Sequence, residues 1–329
     1  VKDVKLSEVA RLAGVSPGTV SNAFNRPSVV APETLERVMA AVAALNYVPN
    51  GAARQLRVGT NSTIGILLHD LKNPFFADLG EGAEMRAAEH GFSTLIATSN
   101  GSGEKQRDYL ALFEEQRVHG VLLQPNDFPA AALDQLRSRG IPVVLLDPAP
   151  DGSDVTSVSG DDLEGGRMAA RHLIECGRRR VAMVSGPLEE RAFAERWEGA
   201  REEFERAGVE VLPMPSDATI QAGRAAGESI IADGGFDAVF AGNDILALGV
   251  LHALRVAEIE VPDRVAVLGY DDIEISRAAI VPLSSMRQPA GEMGRVAVQM
   301  LFDQIEGREP EQTRVVFTPK LVARSSTVG

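Results

Sequence analysis

At 329 residues the chain is too long for one compact unit and suits two or three domains. Its 44% apolar and 24% charged content is that of a soluble globular protein, and no run approaches the ~18 apolar residues of a membrane span. A net charge of −13 argues against nucleic-acid binding by the chain as a whole, and a single cysteine, Cys176, excludes an internal disulfide or a thiolate metal cluster.

The charge is unevenly spread. Residues 1–60 carry seven basic and four acidic side chains, a net +3, and the rest carry 26 basic against 42 acidic, or −16. A basic head on an acidic body is the asymmetry of a protein whose head alone touches a polyanion. The polar start of the chain does not read as an intact secretory leader, so the expected compartment is the cytoplasm.

Three short helices are predicted in the head. Leu6, Val9, Ala10 and Ala13 recur at helical spacing until Gly14 breaks the pattern. Ser16 and Pro17 start a second helix, a capping oxygen followed by a proline at the first turn, which runs through Thr19, Val20 and Phe24 to Asn25. Pro32 opens a third, with Leu35, Val38, Met39, Val42 and Leu45 on one face. Two helices around a glycine turn with a third completing the core make a helix-turn-helix. Residues 49–62 read as a short, weak helix and a linker.

Beyond residue 63 short apolar runs alternate with amphipathic segments. Strands are predicted at 64–68, 93–97, 120–123, 143–146, 181–184, 238–241 and 265–268, with helices between them. That alternation implies parallel sheets covered on both faces, and the strand number implies two α/β lobes.

Ligands of open parallel sheets bind beyond the carboxyl ends of the strands. There the sequence places Asp70, Asn73, Phe75 and Phe76, then Asp147, Arg196, Asn243 and Asp271. Carboxylates, amides and a guanidinium beside two phenyl rings suit a polyhydroxylated ligand. No phosphate loop, nucleophile elbow, dinucleotide fingerprint or HExxH pair occurs, and the five histidines read as ordinary solvated or hydrogen-bonded residues. Catalytic residues, metal ligands and cofactors are therefore not expected.

Leu6-Ser7-Glu8-Val9-Ala10, Ala13-Gly14-Val15-Ser16, Thr19-Val20-Ser21 and Leu45-Asn46-Tyr47-Val48-Pro49-Asn50 resemble the DNA-binding head of the lactose-repressor/galactose-repressor family. Asn73-Pro74-Phe75-Phe76, Asn243-Asp244 and Gly269-Tyr270-Asp271-Asp272 are similar to its body. The resemblance implies an all-α helix-turn-helix head over 1–48, a hinge helix and linker over 49–62, and a two-lobed periplasmic-binding-protein-like (type I) α/β body over 63–329. The amino-terminal lobe is expected over about 63–158 and 288–329, the carboxyl-terminal lobe over about 159–287.

Carried over residue by residue, Pro17, Gly18 and Asn22 would read bases, while Ser16, Thr19, Ser21 and Asn25 would hold phosphates. Asn50, Arg54 and Leu56 would belong to a hinge in the minor groove, with Leu56 as the wedge. Phe75, Asp147, Arg196, Asn243, Asp271 and Gln288 match effector-contacting positions. Asn22 stands where many members have an arginine, and Gly18 offers no side chain, so the operator sequence does not transfer. Ala31 replaces the usual serine cap of the third helix.

The expected protein is a homodimeric, sequence-specific regulator, more often a repressor in this family. It would bind a pseudo-palindromic operator under control of a sugar or nucleoside, without contacting a membrane. A solute receptor shares the body but not the head; an α/β enzyme would need a catalytic constellation that the sequence lacks.

Overall fold

A computed structural model describes residues 4–47, 62–126, 130–149, 153–308 and 311–328. The chain divides into two compact units, Val1–Asn61 and Ser62–Gly329.

In the first unit α1 (Leu6–Ala13), α2 (Pro17–Asn25) and α3 (Pro32–Ala44) enclose a small core. Val9, Val20 and Val38 are fully buried, joined by Ala10, Ala23, Ala41 and Tyr47. Gly14, at φ 65°, makes the left-handed turn between α1 and α2, a conformation only glycine adopts without strain. The Ser16 hydroxyl accepts the Thr19 amide at 3.1 Å, capping α2. Ala31 provides no side-chain cap for α3. Met39 departs from the expected apolar face and is 48% exposed, because Val38 and Ala41 already fill the contact with α1 and α2.

The second unit has two lobes, each built on a six-stranded sheet. The amino-terminal lobe contains β1 (Thr63–Leu68), α4 (Pro74–Glu89), β2 (Ser93–Thr98), α5 (Gly103–Glu115), β3 (Val121–Leu123), α6 (Ala130–Ser138), β4 (Val143–Leu145) and β5 (Thr156–Gly160). The chain then crosses to the other lobe, through α7 (Asp162–Glu175), β6 (Arg180–Ser185), α8 (Arg191–Ala207), β7 (Glu210–Pro215), α9 (Ile220–Asp233) and β8 (Ala238–Ala241). There it continues with α10 (Asp244–Val256), β9 (Ala266–Asp271), α11 (Glu274–Arg277) and β10 (Ser284–Arg287). It returns as α12 (Ala290–Ile305) and β11 (Arg314–Phe317), and crosses a third time into β12 (Lys320–Val322).

The sheet orders are β11-β5-β4-β3-β1-β2 and β12-β10-β9-β8-β6-β7. All neighbours pair in parallel except β10 with β12. The apolar runs that marked the strands are buried on both faces, except in the edge strand β2, where Leu95 and Ile96 are exposed. One expected boundary moves. Residues 320–328 belong to the carboxyl-terminal lobe: β12 pairs with β10, and the Ser326 hydroxyl donates to the Val267 carbonyl at 2.6 Å. That hydrogen-bonded capture carries no apolar periodicity and is invisible to pattern reading.

The helices carrying the cleft pack closely. A Cβ on Gly82 of α4 would lie 2.1 Å from the Gly291 carbonyl oxygen of α12, so backbone meets backbone there.

Candidate functional site

On the head, α2 presents Ser16, Pro17, Gly18 and Asn22 to solvent, with Thr19 half-buried. These are the expected base and phosphate readers, at the exposed start of α2. Ser21 does not share this face. It is 7% exposed, turned toward the core beside Val20. The side chain of Asn25 and the whole of Asn50, Arg54 and Leu56 lie outside the described residues.

In the body all nine expected effector residues line one cavity of about 120 Å3 between the two lobes. Asp70, Asn73, Phe75 and Phe76 come from the β1–α4 turn, and Asp147 from the end of β4. Arg196 enters on α8, Asn243 and Asp271 follow β8 and close β9, and Gln288 sits on the return crossover.

Two of these residues cap helices. The Asn73 Oδ1 accepts the Phe75 amide at 3.1 Å, while its Nδ2 donates to Asp271 Oδ2 at 2.9 Å across the cleft. The Asn243 Oδ1 caps α10 by accepting the Leu246 amide at 2.9 Å. Phe75 and Phe76 meet edge to face, with centroids 5.2 Å apart, as an apolar wall.

The centre is a buried charge cluster. Arg196 is 6% exposed; its Nε donates to Asp162 Oδ1 at 2.8 Å, its Nη1 to the Gly242 carbonyl at 2.6 Å, and its guanidinium lies 3.7 Å over the Tyr270 ring. Burial would lower its pKa, but Asp162, Tyr270 and Asp271 outweigh that and hold it above its usual range. Asp271 has φ 101° and Asp272 φ 56°, a strained pair at the end of β9 that sends the two carboxylates to different partners. Asp271 accepts from Asn73 and, at 3.1 Å, from Gln288 Nε2. Asp272 instead accepts from Arg287 Nε at 2.6 Å and pairs with Arg324 at 2.7 Å. Burial pushes the Asp271 carboxyl up against the pull of Arg196 and the two amides.

Arg196 Nη2 stands 3.8 Å from Asp271 Oδ1. A hydroxyl oxygen between them would accept from the guanidinium and donate to the carboxylate, satisfying both. Asp147 is pushed up to about 7, chiefly by burial.

Among the lining residues that were not expected are Asp162, His69, Gln124, Glu190 and Phe193. The His69 imidazole lies 3.8 Å from Glu190, a second tie across the cleft, and the His69 amide donates to Gln124 Oε1 at 3.1 Å. Burial pushes the Glu190 carboxyl up, opposed by His69 and Arg196. His69 was legible as the residue ending β1, and Phe193 as the residue one helical turn before Arg196. Glu190 lies in a loop that gives no periodic signal.

Comparison with known proteins accounts for both units. Residues 5–50 match the model of bacterial regulatory proteins of the lacI family, and residues 170–327 match a periplasmic binding protein-like domain. The ribose operon repressor of Escherichia coli (strain K12) is 34% identical, covering 98% of this chain and 99% of its own. The chain belongs to the lacI family of transcription regulators. Among solved structures, a transcriptional regulator CelR–cellobiose complex is 35% identical, covers 98% of this chain and 99% of its own, and superposes with a TM-score of 0.73. A lac repressor dimer bound to operator and an anti-inducer is 27% identical with full coverage of both chains and a TM-score of 0.83. The lacI-family head and the two-lobed body therefore make one DNA-binding regulator fold, and among the described residues no helix is long and apolar enough to cross a membrane.

Proposed function

We propose that this lacI-family chain is a cytoplasmic homodimeric repressor whose grip on a pseudo-palindromic operator is set by a small sugar or nucleoside in the cleft. The observation that carries the reading is the convergence of nine separately encoded side chains on one cavity, centred on the Arg196–Asp271 pair. The ribose operon repressor and the cellobiose-bound regulator support a sugar in that place.

Binding without turnover is the finer reading. It rests on the relatives being repressors and on an Asp271 carboxylate already occupied by the orienting amides of Asn73 and Gln288. The head argues against a solute receptor, which would have no use for an exposed α2 face.

The cleft also supplies the coupling. Asn73–Asp271 and His69–Glu190 join the lobes across the ligand's place, so a ligand held by both lobes favours the closed arrangement over the open one. A ligand shifts the equilibrium only by its difference in affinity for the two arrangements, and DNA affinity shifts by the reciprocal coupling. Ser16, Pro17, Gly18, Thr19 and Asn22 are assigned to the operator from their exposed face, and Asn25, Asn50, Arg54 and Leu56 from sequence alone. Exposed Met85, Leu95, Ile96 and Leu112 around the edge strand β2 support a second copy as partner.

A gel-shift on the region upstream of the protein's own gene tests the reading. A discrete complex that a cleft-binding sugar strengthens or weakens supports it; purely salt-dependent, sequence-indifferent binding rejects it.

A further inference from the structure

The charge of the cleft is lopsided. Asp147, Asp162, Glu190 and Asp271 line it together with Asp70, and among the described residues the one lining guanidinium is Arg196. That guanidinium is committed: Nε to Asp162 and Nη1 to the Gly242 carbonyl, leaving Nη2 for a ligand. The lining imidazole, His69, already faces Glu190. Among the described residues no hydrogen bond reaches the Asp147 carboxylate, and the Arg191 charge acts on it against the effect of burial. The cavity is thus rich in carboxyl groups and poor in free cations.

Such a lining matches a ligand that donates. Each hydroxyl brings a proton to a carboxylate and an oxygen to Arg196. A phosphate brings only acceptors and close to two negative charges, and it needs the bidentate fork that Arg196 has already spent. Five carboxyl groups, Asp70, Asp147, Asp162, Glu190 and Asp271, line the place it would take. The volume of about 120 Å3 is near the ~150 Å3 that holds one benzene-sized ring, so little room remains for a second ring or a phosphoryl arm.

Resting on the sugar-cleft reading above, we propose that the effector is an uncharged single-ring polyol and that the cleft rejects its phosphorylated form. In a reaction sequence the regulator then responds to the compound that a phosphoryl-transferring kinase consumes, before the phosphate is added, and not to the kinase's product.

The test uses the full chain and matched pairs that differ by one phosphate: D-ribose against D-ribose 5-phosphate and D-glucose against D-glucose 6-phosphate. Binding is measured by calorimetry at constant ionic strength. In at least one pair the neutral member binds and the phosphorylated one is about 100-fold weaker or undetectable, the scale of like-charge contacts in a partly screened site. The double variant Asp147→Asn, Glu190→Gln narrows that gap by about tenfold, because two of the repelling groups are gone. A phosphorylated member binding as tightly as its neutral partner overturns the proposal while leaving the sugar-cleft reading intact. A gap unchanged in the double variant also overturns it, since carboxylate repulsion is then not the cause. Absence of binding by every member, to millimolar concentration, removes the sugar-cleft reading and this proposal with it.

Discussion

Arg196 shows how one residue serves stability and binding together. Its guanidinium neutralises Asp162, stacks on Tyr270 and offers Nη2 to a ligand. Arg196→Ala therefore does more than blunt the effector response. It strands buried carboxylates, and the expected cost is about 3–5 kcal/mol of body stability, read as a lower melting temperature. Asp147 is the cleaner probe, having no hydrogen-bonded partner to orphan among the described residues. Its pKa is raised to about 7 from an ordinary 3.8. The folded body thus holds that proton more tightly than the unfolded chain, and the stability it contributes is lost as pH rises from about 4 to 7. Asp147→Asn should melt like wild type near pH 4 and be more stable above pH 7, by on the order of 2 kcal/mol after allowing for partial exposure. Melting curves that stay parallel across that range would show that Asp147 is well solvated. These cleft residues were legible because strand ends in parallel sheets are where ligands bind, so Asp147, Asn243 and Asp271 could be read from position alone. Glu190 was not, since only the folded loop brings it to His69.

Elements position these residues through close backbone contact. Asn73, Phe75 and Phe76 stand at the start of α4, which is seated on α12 by Gly82 against Gly291. Gly82→Ala would force the helices apart. The expected loss is about 1–3 kcal/mol, with weaker effector binding because the start of α4 shifts with the helix. Thermal melts and calorimetry on one variant check both, and a tight-binding variant of lower stability would separate packing from the site. In the head, Ala31→Ser supplies the missing cap of α3 and should slow amide exchange over 32–44, for a gain of about 0.5–1 kcal/mol. The seven predicted strands were recoverable because apolar residues predominate in them. The others were hidden by composition. In β10, Ser284–Arg287, the first three residues are buried although two are serines, whose hydroxyls bond Thr327 and Asp244 while the Ser284 amide donates to the Ser326 hydroxyl. β7, Glu210–Pro215, is an edge strand that tolerates two prolines. Hydrogen-bond satisfaction of this kind is a tertiary property that no local pattern announces.

The whole molecule carries an exposed α2 face on a basic head and an acidic cleft in the body. Reading a pseudo-palindrome needs two heads, so sedimentation should give about twice the 35.1 kDa of one chain. Ile96→Asp, on the 43%-exposed edge strand, should shift the equilibrium to monomer and cost operator affinity without lowering the melting temperature of the body. A monomeric variant that holds operator as tightly as wild type would remove the dimer from the mechanism. The central claim is that ligand in the cleft and DNA at the head are coupled. Fluorescence anisotropy of a labelled fragment from upstream of the protein's own gene, titrated with the full chain at fixed salt, tests it directly. With and without a neutral sugar that calorimetry has shown to bind, the account expects operator affinity to change at least about tenfold, and Asp147→Ala to abolish that change while retaining operator binding. A sugar that binds the cleft and leaves operator affinity unmoved would contradict it.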